Sequence, residues 1–114
     1  MKPLRIAALA VMAGFAMTMS ALGQVAGEYF AYGRNADGSA YSGTVQIVQN
    51  GDGSFGVFWQ VGSAYSGIGM LNGRVFEVNW GDSDPAVYVL MPDGELHGTW
   101  GDGTGLELLT RTPR

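Results

Sequence analysis

Residues 39–80, SAYSGTVQIVQNGDGSFGVFWQVGSAYSGIGMLNGRVFEVNW, contain one unit written twice. Ser39-Ala40-Tyr41-Ser42-Gly43 recurs as Ser63-Ala64-Tyr65-Ser66-Gly67, and each copy is followed by a Phe-x-Val-x-Trp run, at 55–59 and at 76–80. Within these runs Phe55, Val57 and Trp59 fall on one face, with Gly56, Phe58 and Gln60 on the other. Phe76, Val78 and Trp80 repeat the pattern against Glu77 and Asn79, and Val45 and Ile47 alternate with Thr44 and Gln46. A period of two is the geometry of a strand with one buried face. A third, weaker copy runs from Asp93 to Trp100. The repeat unit is therefore a β-hairpin, and its expected product is a single sheet that rolls up.

Turn chemistry extends this reading in both directions. Asp37-Gly38, Asn50-Gly51, Asp52-Gly53, Asn72-Gly73 and Asp93-Gly94 are all dipeptides suited to tight turns with φ > 0. They delimit eight strands, near 28–34, 40–49, 54–61, 64–71, 74–80, 86–91, 95–100 and 105–110. Every connection is short, which leaves little room for parallel crossovers, so successive strands are expected to pair antiparallel in an up-and-down meander. Closure into a small barrel would eliminate exposed edges, and the strand glycines Gly43, Gly67, Gly69, Gly98 and Gly105 permit the coiling it needs. An open curled sheet and a two-sheet sandwich are the competing architectures. The expected core is Phe55, Val57, Trp59, Phe76, Val78, Trp80 and Trp100, with Gly38, Gly51, Gly53, Gly73 and Gly94 in turns.

The N-terminal residues follow a different logic. Lys2 and Arg5 precede an uncharged apolar run from Ile6 to Met17, and Ala21-Leu22-Gly23 has the small-x-small pattern of a signal-peptidase site. Residues 1–23 are expected to be a cleaved signal peptide and residues 24–114 the β-domain. The apolar run is shorter than the roughly 20 residues a membrane span requires. The remaining 91 residues suffice for one domain. They contain no cysteine, so neither disulfides nor a lipoprotein anchor is available. They carry four arginines and no lysine against ten acidic residues, a net charge of −6. Such a surface repels phosphate backbones and anionic head groups, which speaks against nucleic acid and membrane surfaces as partners. An outer-membrane barrel is also disfavoured, because these strands are short and alternate with polar outer positions.

Candidate chemistry is sparse. His97 is the only histidine, on a strand among polar neighbours, and reads as exposed. Without cysteine or a second histidine, a zinc-type site lacks ligands. Asn35-Ala36-Asp37-Gly38-Ser39 and Asn50-Gly51-Asp52-Gly53-Ser54 resemble fragments of calcium loops, but hairpin turns demand the same residues for conformational reasons. Glu28, Glu77, Glu95 and Glu107 lie on predicted strands and read as solvated faces, although a pair across a cleft would suit glycoside hydrolysis. No catalytic set, cofactor or metal site is expected. The aromatic residues are the most informative. The tryptophans are expected in the core, and Phe58, Tyr32 and Tyr88 are the candidate ligand-binding residues, Phe58 as the exposed aromatic that beside Tyr32 or Tyr88 could anchor a partner.

The series DGSAYSG, FGVFW, YSGIG, FEVNW, DGELHGTW and GLELLT resembles a group of short exported bacterial proteins with repeated Tyr-x-Gly and Val-x-Trp strands. Some of these carry the label fibronectin-binding protein, which implies host-matrix adhesion. The meander is also similar in strand number to the calycin barrels, but Gly27-Glu28-Tyr29 has tyrosine where lipocalins have tryptophan. The sequence thus reads as a non-enzymatic exported binding or cell-envelope protein, periplasmic or secreted, whose partner is an unknown protein or small ligand. The alternatives are a small-ligand-binding calycin-like barrel, a fibronectin-binding-type adhesin and an envelope hydrolase.

Overall fold

In the computed structural model, residues 25–112 are described; the expected signal peptide lies outside them. Eight strands follow one another: β1 (Gly27–Arg34), β2 (Ala40–Gln49), β3 (Phe55–Gln60), β4 (Ala64–Asn72), β5 (Val75–Asn79), β6 (Ala86–Leu90), β7 (Leu96–Trp100) and β8 (Gly105–Arg111). Each pairs antiparallel with its sequence neighbours, and β8 returns to β1, from Tyr29↔Arg111 to Arg34↔Leu106. The result is a closed up-and-down barrel, which leaves no unpaired sheet edge. The open sheet and the sandwich are excluded.

Three of the hairpin loops share one construction. In Asn35–Ser39 and Asn50–Ser54 the asparagine N–H donates to the serine carbonyl at 2.8 Å. The aspartate Oδ1 in turn accepts from the serine N–H and hydroxyl, at 2.6–2.9 Å in one loop and 2.7–3.0 Å in the other. The third loop repeats the bond from Met91 N–H to the Glu95 carbonyl, with Asp93 Oδ1 accepting from Glu95 N–H. These are Asx turns, so the oxygens that resemble calcium ligands are spent on shaping the chain. Gly38, Gly53, Gly73 and Gly94 all have positive φ. Gly51 does not, which corrects its assignment as a left-handed turn glycine. It occupies the place that Ala36 takes in the first loop, where any residue fits.

The inward positions form one apolar cluster. Tyr29, Ala31, Val45, Ile47, Phe55, Val57, Trp59, Phe76, Val78, Ala86, Tyr88, Leu90, Leu96 and Leu109 are all buried, together with Val25 ahead of β1. Phe55 meets Phe76 edge-on at 5.5 Å, joining the two Phe-x-Val-x-Trp repeats inside the barrel. Burying each large side chain here stabilises the fold by about 1.5–3 kcal/mol.

The two ends of the barrel differ. At the end that carries the 50–54 and 91–95 loops, Val25 closes the interior and accepts a 2.6 Å hydrogen bond from the Tyr29 hydroxyl. The Arg111 guanidinium lies 4.7 Å from the Tyr29 ring centroid and donates to the Ala26 carbonyl. This end is packed shut. The opposite end, rimmed by loops 35–39, 61–63, 80–85 and 101–104, is open.

Candidate functional site

One row of inward positions builds the floor of the open end. Register places Tyr41 (β2) beside Gly33 (β1), Gly33 beside Glu107 (β8), Glu107 beside Gly98 (β7) and Gly98 beside Tyr88 (β6). Glu107 is therefore flanked on both sides by glycines. A Cβ on Gly33 would collide with the Tyr41 ring, and one on Gly98 with the Tyr88 ring. Each tyrosine lies across its neighbouring glycine, and both reach the same carboxylate. Tyr88 donates to Glu107 Oε1 at 2.6 Å and Tyr41 to Oε2 at 2.8 Å. Trp59 Nε1 adds a third donor, to Oε1 at 3.0 Å.

Proton direction in this network follows from donor chemistry. An indole N–H only donates, so the 3.0 Å bond from Trp100 Nε1 to the Tyr41 oxygen makes Tyr41 the acceptor there. The Tyr41 proton then points to Glu107. All three contacts place a donor against the carboxylate and none requires a proton on it. Glu107 is only 5% exposed. Among the described residues no cationic side chain pairs with it; the one histidine–carboxylate contact is His97–Glu95, on the outer wall. Burial pushes the Tyr88 phenol to ionise only well above the ordinary phenol value, with the charge of Glu107 acting in the same direction. Tyr41 is raised for the same two reasons in the same order.

Above this floor lies a cavity of about 220 Å³, lined by Tyr41, Trp59, Tyr65, Trp80, Trp100 and Glu107, with Val61, Ala86, Tyr88 and Asn35 completing its wall. Tyr65 meets Trp80 at 5.6 Å, Trp80 meets Trp100 at 6.4 Å, and Trp100 meets Tyr41 at 6.4 Å, so four rings form a continuous arc. Trp100 is seated by Gly105, whose missing Cβ leaves room for the indole. The buried Trp80 Nε1 has no hydrogen-bond partner. Asp37, Asp82, Asp84 and Asp102 all lie in the loops at this end.

The sequence-derived candidates divide. Phe58 and Tyr32 are about half exposed on the outer wall, as expected. They do not form one surface. Tyr32 pairs with Ser42 and Phe58 with Gln46, on opposite sides of β2, which separates them by about 13 Å along the strands and about 10 Å across. Tyr88 is not an exposed aromatic; it is 1% exposed and faces inward. Glu107 is the second correction, since it is not on a solvated face. Glu28 and Glu77 are exposed and Glu95 is half-buried. Trp59 is buried as expected, whereas Trp80 and Trp100 are only partly so and form cavity wall as well as core. Alternation held the clue to Glu107. With Gly105 and Leu109 inward, residue 107 has to share their face.

These features define a class: a small closed antiparallel barrel with one packed end and one open end lined by aromatic rings around a buried carboxylate. No protein-family model matches the chain, and no curated protein does. Among solved structures the chain is similar to a redesigned beta barrel at 15% identity, with a TM-score of 0.60 over 81% of this chain and 95% of that one. At that identity the likeness concerns the fold alone.

Proposed function

We propose that this protein binds a small molecule in the open end of its barrel, as an exported binding protein without catalytic activity. The observation that carries this reading is the cavity itself, an aromatic-walled opening over a single oriented carboxylate. Ligand sites are characteristically apolar concavities with a few convergent polar groups. Binding is favoured over hydrolysis because Glu107 is the one carboxylate in the lining and three donors already engage it. Glycoside hydrolysis calls for two carboxyl groups facing each other across the substrate.

The test is tryptophan fluorescence against a panel of small amines, sugars and lipophiles, since Trp59, Trp80 and Trp100 all line the cavity. A saturable shift in emission is expected with at least one class. A flat response across all classes overturns the reading.

A further inference from the structure

We propose that the ligand of the open end is a small organic cation, an ammonium group whose charge is countered by Glu107 and whose alkyl groups lie against Trp80, Trp100 and Tyr65. This rests on the reading that the open end binds a ligand. Glu107 is buried among rings and accepts hydrogen bonds from three neutral donors. Such donors orient a carboxylate and spread its charge without cancelling it. A buried charge is ordinarily paired, and its desolvation is expensive when it is not. Here no side chain among the described residues supplies the counter-charge.

The geometry also leaves a place for it. Oε1 accepts from both Tyr88 and Trp59, but Oε2 only from Tyr41. A carboxylate oxygen has two acceptor positions, so Oε2 keeps one vacant. The surrounding surface suits the same ligand, because aromatic faces attract cations through the ring quadrupole, tryptophan most strongly. Four aspartates stand in the rim loops, while Arg34, on the outer face, donates to the Gly38 carbonyl. The resulting field gathers cations and repels anions.

Competing ligands fit less well. A neutral sugar would stack on the rings but leave Glu107 uncompensated. A bare metal ion needs several oxygen ligands, and the lining has one carboxylate with most of its acceptor positions occupied. The volume of about 220 Å³ falls below the 300–1,000 Å³ typical of drug-sized ligands, which favours a cation smaller than these.

The deciding experiment titrates the protein with choline and, in parallel, with 3,3-dimethylbutan-1-ol, its neutral carbon isostere, following tryptophan emission. Choline is expected to bind at least about tenfold more tightly, and to weaken with added salt while the isostere does not. Glu107→Gln should bring the two affinities together. Should the variant fail to fold, the wild-type comparison and its salt dependence still decide the matter. Equal or tighter binding of the isostere overturns the cation and leaves the binding site standing. Silence from both compounds, and from the neutral panel as well, overturns the cation and the binding site together.

Discussion

Glu107 stands between two opposing terms. Burying a carboxylate costs several kcal/mol, yet each hydrogen bond to a charged acceptor returns about 1.5–3 kcal/mol, and Glu107 accepts three. Replacing it with leucine removes both terms but strands the buried Tyr88 hydroxyl and Trp59 N–H, at about 1–3 kcal/mol each. The stranded donors should dominate. Glu107→Leu is expected to destabilise the barrel by roughly 2 kcal/mol in urea titrations, and Glu107→Gln by less, because its carbonyl can still accept. A leucine variant as stable as wild type would show that the donors find other partners. The flanking glycines should respond unequally. A Cβ on Gly98 meets the buried Tyr88 ring and, at 2.6 Å, the Val87 carbonyl, and neither can withdraw. Gly98→Ala should destabilise by about 2–3 kcal/mol. At Gly33 the three nearest atoms all belong to the Tyr41 side chain, which is only partly buried and so has more room to give way. Gly33→Ala should lose about 1 kcal/mol and release Tyr41 from Glu107.

At the scale of the element, the loops separate residue type from conformation. Gly51 and Gly53 lie two residues apart in one hairpin, and a Cβ at either would meet nothing within 4 Å. Only Gly53 has positive φ, at 93°. Gly51→Ala is expected to stabilise by about 0.4–1 kcal/mol through the unfolded chain, while Gly53→Ala destabilises by about 1–2 kcal/mol. Paired thermal melts measure both. Matching shifts in the two variants would refute the Asx-turn description of this loop. The same element explains why the Asp37 and Asp52 carboxyls ionise below the usual carboxylate range, each held down chiefly by the hydrogen bond from its serine hydroxyl.

For the whole molecule, the tyrosines set an alkaline limit. Burial raises Tyr29 to about 12, with Arg111 partly opposing it, and Tyr41 and Tyr88 are raised as well. An unfolded tyrosine ionises near pH 10. A group whose folded value is raised contributes stability that is complete below the unfolded value and lost as pH climbs towards the folded one. The urea midpoint should therefore hold steady to about pH 10 and fall steeply between about pH 10 and 12. A midpoint unchanged across that window would mean that the phenols ionise freely in the folded barrel.

The strand pattern, the hairpin order and the inward faces of β3 and β5 were legible in the sequence because a period of two and short loops are local facts. Phe55, Val57, Trp59, Phe76 and Val78 could be placed inside from alternation alone. The site was not legible in the same way. Tyr41 and Tyr88 lie 66 and 19 residues from Glu107 in the chain; Tyr88 reaches it across Gly98 through the successive pairing of β6, β7 and β8, and only the closure of β8 onto β1 brings Tyr41 to it across Gly33. Glutamate and tyrosine also occur on solvated strand faces, so residue type gave no warning that one face had become an interior. By itself the sequence determined which residues alternate and where the chain turns. Tertiary structure alone decided that one end of the barrel is filled and the other open. That choice depends on which side chains meet across the ring of strands, and sequence neighbours carry no record of it.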